Sequence, residues 1–209
     1  MFFFDLDGTL VDSNGIWQEV DRTFLARRNL PYTHAYYEGV AHTILPVAAE
    51  FTKDYCQLTE SCGDIIAEWM ALAASAYAQS VPLKPGVRAY LEQCRTEGRR
   101  LAIITSSVPE HCRTVLAQHG LEPFFEQIFF AHDLGLEKRE PAIFRHAATV
   151  CGIAAEDCTL FDDSLAACRG ARAAGMRVVG MYDPFFDSFQ PELRSFCDVY
   201  LTSFEELLV

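Results

Sequence analysis

Two aspartates, Asp5 and Asp7, follow three phenylalanines and precede Gly8 and Thr9 in the opening stretch MFFFDLDGTLVDS. Residues i and i+2 of a strand point the same way, roughly 7 Å apart. That span lets one carboxylate attack phosphorus while the other reaches the leaving oxygen on the far side. Asp5 is then the candidate nucleophile, forming an aspartyl-phosphate. Asp7 is the candidate acid that protonates the leaving group and afterwards activates water. Gly8 permits the backbone turn that brings both in. Three further groups sit beside other segments: Thr105-Ser106-Ser107 after RLAII, Lys138 in GLEKREP, and Asp162-Asp163 after CTLF.

Gathered in one place, four carboxylates repel. Two unit charges ~4 Å apart cost about 4 kcal/mol at an effective dielectric of ~20. Several hard oxygens want a hard cation, and Mg²⁺ suits a few carboxylates plus a phosphate. Thr105, with its hydroxyl and the N–H groups after it, can hold phosphate oxygens, and Lys138 adds a positive charge. The set describes phosphoryl transfer. Taken singly, each group has a plainer role. Asp7-Gly8 is a turn pair. Thr105-Ser106-Ser107, Asp162-Asp163 and Asp12-Ser13 can each cap a following helix. Lys138 can be an exposed loop lysine. The plain roles leave unexplained why every expected strand tip but the weakest carries a part that phosphoryl transfer needs.

The elements that position these groups are legible from hydrophobic spacing. MFFFDL reads as a strand buried on both faces. Ile16, Val20 and Phe24, with Trp17, recur at helical spacing until Pro31. Helical patterning resumes over AYYEGVAHTILPVAAEF and again over DIIAEWMALAASAYA, where Ile65, Trp69, Leu72 and Ala76 share a face. VPLKPG marks a linker. From residue 85 helices and strands alternate. The strands are RLAIIT, the weaker EQIFFA, CTLFDD, MRVVGMY and the short CDVYLTS. The helices run from Val87 to Gly98, over PEHCRTVLAQHG, PAIFRHAATVCG and SLAACRGARAAG, with a last turn at FEELL. This predicts an α/β fold, a Rossmann-like parallel sheet core with helices on both faces. Ligands of such sheets bind at the carboxyl ends of the strands. The expected division is a core of residues 1–13 and 83–209 with an inserted α-helical cap at 14–82, hung on two hinge linkers. Trp17 and Trp69 are expected in the cap's core, and Arg22, Arg27, Arg28 and Lys53 among its solvated charges.

Bulk composition narrows the function classes. Of 209 residues, 50% are hydrophobic and 12% aromatic, enough for a real core. A net charge of −12 repels nucleic acid and anionic membranes, so neither is an expected partner. It also gives no steering to an anionic substrate, so any anion site must be built locally. The eight cysteines form no C-x-x-C and no zinc spacing with histidine, and are expected as reduced, buried thiols. MFFF lacks the basic start of a signal peptide. No run approaches the ~18 apolar residues of a membrane span. The cytoplasm is the expected location. The six histidines are scattered. His111, His119 and His146 are expected on helix surfaces, and Ser13 has no histidine partner that would make a serine hydrolase.

The stretch DLDGTLVD resembles the first motif of the haloacid dehalogenase-like hydrolases. Thr105 resembles their second, Lys138 their third and Asp162-Asp163 their fourth, in order over residues 1 to about 205. The resemblance implies that Asp5 is nucleophile and Mg²⁺ ligand. It implies that Asp7 is acid and base, its backbone carbonyl also on Mg²⁺, and that Thr105, Ser106 and Lys138 bind phosphate. Asp163 would hold Mg²⁺ directly, and Asp162 directly or through water. Ala167 stands where some relatives carry a further acid, which implies the paired-carboxylate variant. KREP keeps the lysine and last proline of the relatives' K-P-x-P. Subgroups with a helical cap after the first motif, phosphoglycolate phosphatase-like and beta-phosphoglucomutase-like, act on small phosphorylated metabolites. The expected function is a Mg²⁺-dependent phosphatase of such a metabolite, monomeric or homodimeric. The mutases carry a cap histidine ten residues after the acid/base aspartate. Trp17 stands there, which favours phosphatase. A receiver domain places its phospho-acceptor on a different strand from its acidic pair. A non-catalytic binding protein would be expected to lack an essential part, and none is missing.

Overall fold

The computed structural model describes residues 1–40, 45–79 and 81–208. The chain divides into two compact units, Gly15–Ser80 and the remainder, Met1–Asn14 with Val81–Val209.

The smaller unit is helical: α1 Ile16–Ala26, α2 His34–Val40, α3 Leu45–Cys56 and α4 Cys62–Gln79. The centre of AYYEGVAHTILPVAAEF, residues 41–44, lies outside the described residues. Helix α1 stops at Ala26, short of Pro31, because Asn29 turns the chain at φ 57 and the Leu30 N–H closes on Leu25 O. Asparagine tolerates this left-handed conformation better than most residues. Buried Phe24 and Trp69 meet edge to face at 5.6 Å. Arg28 departs from the expected solvated charge. Its guanidinium lies 3.6 Å from the Phe24 ring centre and bonds Glu60 and Glu68 at 3.0 and 2.7 Å. The aromatic face and the paired carboxylates together hold it in place.

The larger unit is built on six parallel strands: β1 Phe2–Phe4, β2 Leu101–Thr105, β3 Gln127–Phe130, β4 Thr159–Asp162, β5 Arg177–Met181 and β6 Val199–Leu201. Their order is β3-β2-β1-β4-β5-β6, so β1 is central. Phe4 stands opposite Ile103 on one side and Phe161 on the other. A parallel sheet is covered on both faces, which is why β1 shows no polar alternation. Phe3 enters a core with Ile104, Phe144, Leu160 and Val178. Phe4 points the other way and stacks on Phe161 at 4.6 Å, with Tyr90, Phe125 and Phe204 around it. Both are fully buried, so the strand that carries Asp5 is pinned from above and below.

The covering helices are α5 Val87–Thr96, α6 Pro109–Gln118, the short α7 Ala131–Leu134, α8 Pro141–Val150, α9 Leu165–Ala174 and α10 Gln190–Phe196. Helix α7 and helix α10 have no counterpart in the sequence reading. One is a single turn, and the other follows a proline-interrupted aromatic run whose spacing matches no period. The FEEL turn is a 3-10 helix closed by a Ser203–Glu206 capping box. The VPLKPG segment is more than a linker. Leu83 pairs with Val11 in an antiparallel bridge, the Asp12 N–H donates to Pro82 O at 2.9 Å, and the Lys84 N–H donates to Leu10 O at 3.0 Å. His111 is not on a surface: it is 4% exposed, on the inner face of α6 beside Cys112 and Val115, one helical turn ahead of the latter. His146 is exposed, and His119 is half-buried with Nε2 2.8 Å from Val81 O. Among the described residues no helix is long and apolar enough to cross a membrane.

Candidate active site

The carboxyl ends of β1, β2 and β4 bring the predicted residues to one edge of the sheet. Asp5 directly follows β1 and is still held by the ladder through its N–H to Phe161 O at 2.9 Å. The chain then turns sharply. Leu6 O accepts the N–H groups of Leu10 and Val11, and the Gly8 N–H donates to Val11 O at 2.8 Å. Gly8 sits at φ 80. A Cβ there would lie 2.2 Å from both Asn14 Nδ2 and Asp163 Oδ2. Glycine is needed both for the backbone angle and for the approach of Asp163.

Asp5, Asp162 and Asp163 are buried, with carboxylate oxygens within 4.8 Å of one another. The Lys138 ammonium lies among them, donating to Asp5 Oδ1 at 2.5 Å and 2.6 Å from Asp162 Oδ2. The loop carrying Lys138 rests on α9 at Gly170, where a Cβ would lie 2.4 Å from Lys138 O. Asp162 Oδ1 accepts the Ser164 N–H at 2.8 Å. Its Oδ2 lies 2.6 Å from the Lys138 ammonium. Asp163 is held by Thr9 Oγ1 at 3.2 Å and Asn14 Nδ2 at 2.9 Å. Asp7 is half-buried, and its Oδ1 accepts from Ser13 Oγ at 2.6 Å. Thr105 ends β2 fully buried, its Oγ1 accepting the Ser107 N–H at 2.9 Å, while Ser106 beside it is exposed. Lys138 is therefore a loop lysine that is buried as the counter-charge of the acidic cluster rather than exposed. Ser164 itself caps α9, and Val108 stands at the cap position of α6. Gly15, not Asp12 or Ser13, is at the cap of α1.

Charge and burial explain the proton affinities. Burial pushes the Asp5 carboxyl well above the usual carboxylate range; Lys138 opposes this, and Asp162, Asp163 and Asp7 add to it. Burial, then Asp162, push Asp163 up to about 7 against the pull of Lys138. Burial would lower the Lys138 ammonium, but Asp162 and Asp5 outweigh it and hold it well above its ordinary value. Three carboxylates against one ammonium leave two negative charges, the deficit that one divalent cation cancels. This buried all-oxygen set, its oxygens within 4.8 Å of one another, fits a hard cation such as Mg²⁺.

The structure also shows residues the sequence reading passed over. Thr9 and Asn14 hold Asp163, and Ser13 holds Asp7, contacts for which nearness in sequence to Asp5 and Asp7 is the only signal. Gly170 belongs to no motif, and its role shows only in the approach of the Lys138 carbonyl. Asp183 is 1% exposed just past β5 and pairs with Lys84 at 2.5 Å. Its charge raises the proton affinity of Asp163. Ninety-nine positions separate the pair, so no local signal joins them.

Comparison with known proteins agrees with this geometry. A profile of the haloacid dehalogenase-like hydrolases matches residues 1–175. A phosphoserine phosphatase of Thermus thermophilus is 35% identical over 99 residues, 47% of this chain and 40% of that protein. The chain thus spans well under two thirds of that relative. A phosphoglycolate phosphatase of Pseudomonas putida is 29% identical over 192 residues, 87% of this chain and 68% of its own length. Among solved structures, a putative beta-phosphoglucomutase of Thermotoga maritima superposes with a TM-score of 0.87 at 21% identity, covering 99% of this chain and 95% of the other. At that identity the likeness speaks for the fold alone.

Proposed function

Because the chain belongs to the haloacid dehalogenase-like hydrolases, we propose that it is a phosphatase that hydrolyses the phosphate monoester of a small metabolite through an aspartyl-phosphate on Asp5. The observation that carries this reading is the meeting of Asp5, Asp162 and Asp163 around Lys138, with Asp7 two residues beyond Asp5. Asp5 attacks phosphorus as its P–O bond to the leaving group breaks, and the Asp7 carboxyl gives its proton to the departing oxygen. Asp7, now ionised, takes a proton from the water that attacks the phosphoryl group on Asp5. Inorganic phosphate leaves and Asp5 is restored. Ser13 aims the Asp7 oxygen for both transfers through its 2.6 Å hydrogen bond. Thr105, Ser106 and Lys138 hold the phosphoryl oxygens.

Mg²⁺, held by Asp5, the Asp7 carbonyl, Asp162 and Asp163, would offset the charge of phosphate and carboxylates. The division at residues 14 and 82 into core and α-helical cap, a cytoplasmic setting, and a monomer or homodimer are parts of the same reading.

The phosphatase names of the relatives support hydrolysis over isomerisation, and Trp17 stands where the resemblance places a mutase histidine. The test is a screen of phosphorylated metabolites, phosphoglycolate and phosphoserine included, with Mg²⁺ and detection of released phosphate. A hexose 1-phosphate is the discriminating substrate. Free phosphate supports the reading, and isomerised sugar phosphate without release overturns it.

A further inference from the structure

Two thiols meet behind the Asp162–Asp163 edge. Cys168 is fully buried in the first turn of α9, its N–H on Ser164 O at 3.0 Å and its Sγ 3.7 Å from the carbonyl of Asp162. Cys197 directly follows α10, half-buried, and its thiol shares a hydrogen bond with that of Cys168. Strand β5 makes room for it. A Cβ on Gly180 would lie 2.9 Å from Cys197 Sγ and 3.1 Å from Leu193 Cγ, so this interior strand position carries no side chain. A glycine inside a strand marks such a close approach.

We propose that Cys168 and Cys197 form a modification site, a dithiol that a hydroperoxide converts to a disulfide, and that the disulfide weakens the cation site at Asp162 and Asp163. Cys197 is the entry point, being the more accessible of the two. The Cys197 sulfur attacks one peroxide oxygen; an S–O bond forms, the O–O bond breaks, and the departing oxygen takes a proton to leave as water or alcohol. The Cys168 sulfur then attacks the sulfenic sulfur. The S–S bond forms, the S–O bond breaks, and the hydroxyl leaves as water with the thiol proton. Two thiols lose two electrons and the peroxide gains them. Drawing Cys168 to covalent distance from Cys197 takes it off the Asp162 carbonyl and pulls on the helix that starts just after both metal-site carboxylates. Loss of contacts behind a metal ligand costs roughly 10-fold or more in metal affinity.

The consequence for the cation rests on the phosphatase reading; the disulfide does not. The experiment exposes the reduced protein to stoichiometric hydrogen peroxide and caps free thiols. It then maps peptides without reduction and titrates Mg²⁺ by calorimetry before oxidation, after it, and after dithiothreitol. The expected result is one cross-linked peptide joining Cys168 to Cys197, with Mg²⁺ affinity falling about 10-fold and returning on reduction. Cys197→Ser and Cys197→Ala should keep basal affinity and resist the change. Capped Cys168 and Cys197 after oxidation, or bridges to other cysteines, overturn the modification site. A mapped disulfide with unchanged Mg²⁺ affinity overturns its effect on the cation site. If the reduced protein binds no Mg²⁺, the metal reading fails, while the peptide map still decides the modification site.

Discussion

Removing the Lys138 ammonium tests whether the acidic cluster is held together as the structure implies. Lys138→Met keeps the length of the stem and deletes the charge that meets Asp5 at 2.5 Å and Asp162 at 2.6 Å. All three side chains are nearly buried, at 10%, 7% and 0% exposed, so water does little to replace it. Breaking a buried pair by deleting one partner costs about 3–5 kcal/mol. For a chain of this size that is a fall in Tm of roughly 6–20 °C. The deficit changes from two uncompensated charges to three, so the loss should be largest where the carboxylates are ionised. Lowering the pH lets Asp5 and Asp163, whose proton affinities burial already raises, take up protons and relieve part of it. Added Mg²⁺ should recover part of it too. Urea unfolding at pH 5.5 and pH 8, with and without Mg²⁺, measures all of this. A variant as stable as the parent at pH 8 without Mg²⁺ would refute the reasoning, as would a penalty that grows on acidification.

Further outcomes follow from individual residues of the site. Gly8→Ala places a methyl 2.2 Å from Asn14 Nδ2 and Asp163 Oδ2 at φ 80, so thermal unfolding should report a loss of about 2 kcal/mol or more; an unchanged Tm would show that the loop gives way without cost. Asp163 binds its proton more tightly folded than unfolded, with an affinity raised to about 7. The folded state thus holds more protons between the ordinary value of 3.8 and 7, and metal-free stability should fall as pH rises through that window. Mg²⁺ binding should tighten as pH rises through about 7 and release a proton, which calorimetry in buffers of different ionisation enthalpy detects. Ser13→Ala removes the 2.6 Å bond that orients Asp7. It should lower kcat on alkyl phosphates roughly 10-fold, and far less on phenolic esters, whose leaving groups need no acid.

Much of this site was legible because its parts end buried strands. Phe2–Phe4, LAIIT and TLFD are short apolar runs closed by Asp5, Thr105 and Asp162, and a parallel sheet brings such ends to one edge. Burial turns those residue types into specific proton affinities, and no local pattern carries that information. The Asp183–Lys84 pair and the seating of Lys138 on Gly170 depend on long-range contacts, which sequence spacing does not encode. His111 was misplaced for a related reason. A polar type suggested a surface, while the helix turned that position inward with Cys112 and Val115. Helix α10 carries no readable period because only Gln190 and Leu193 are buried, with Phe196 half-buried beside the core.

The central claim is that Asp5 carries the phosphoryl group. Quenching the protein during turnover, reducing with borohydride and mapping peptides tests it directly, because reduction of an acyl phosphate leaves homoserine in place of aspartate. The account predicts homoserine at position 5, dependent on substrate and absent in Asp5→Asn, which should fold and not turn over. Reduction product at another carboxylate, or steady turnover by Asp5→Asn, would contradict it.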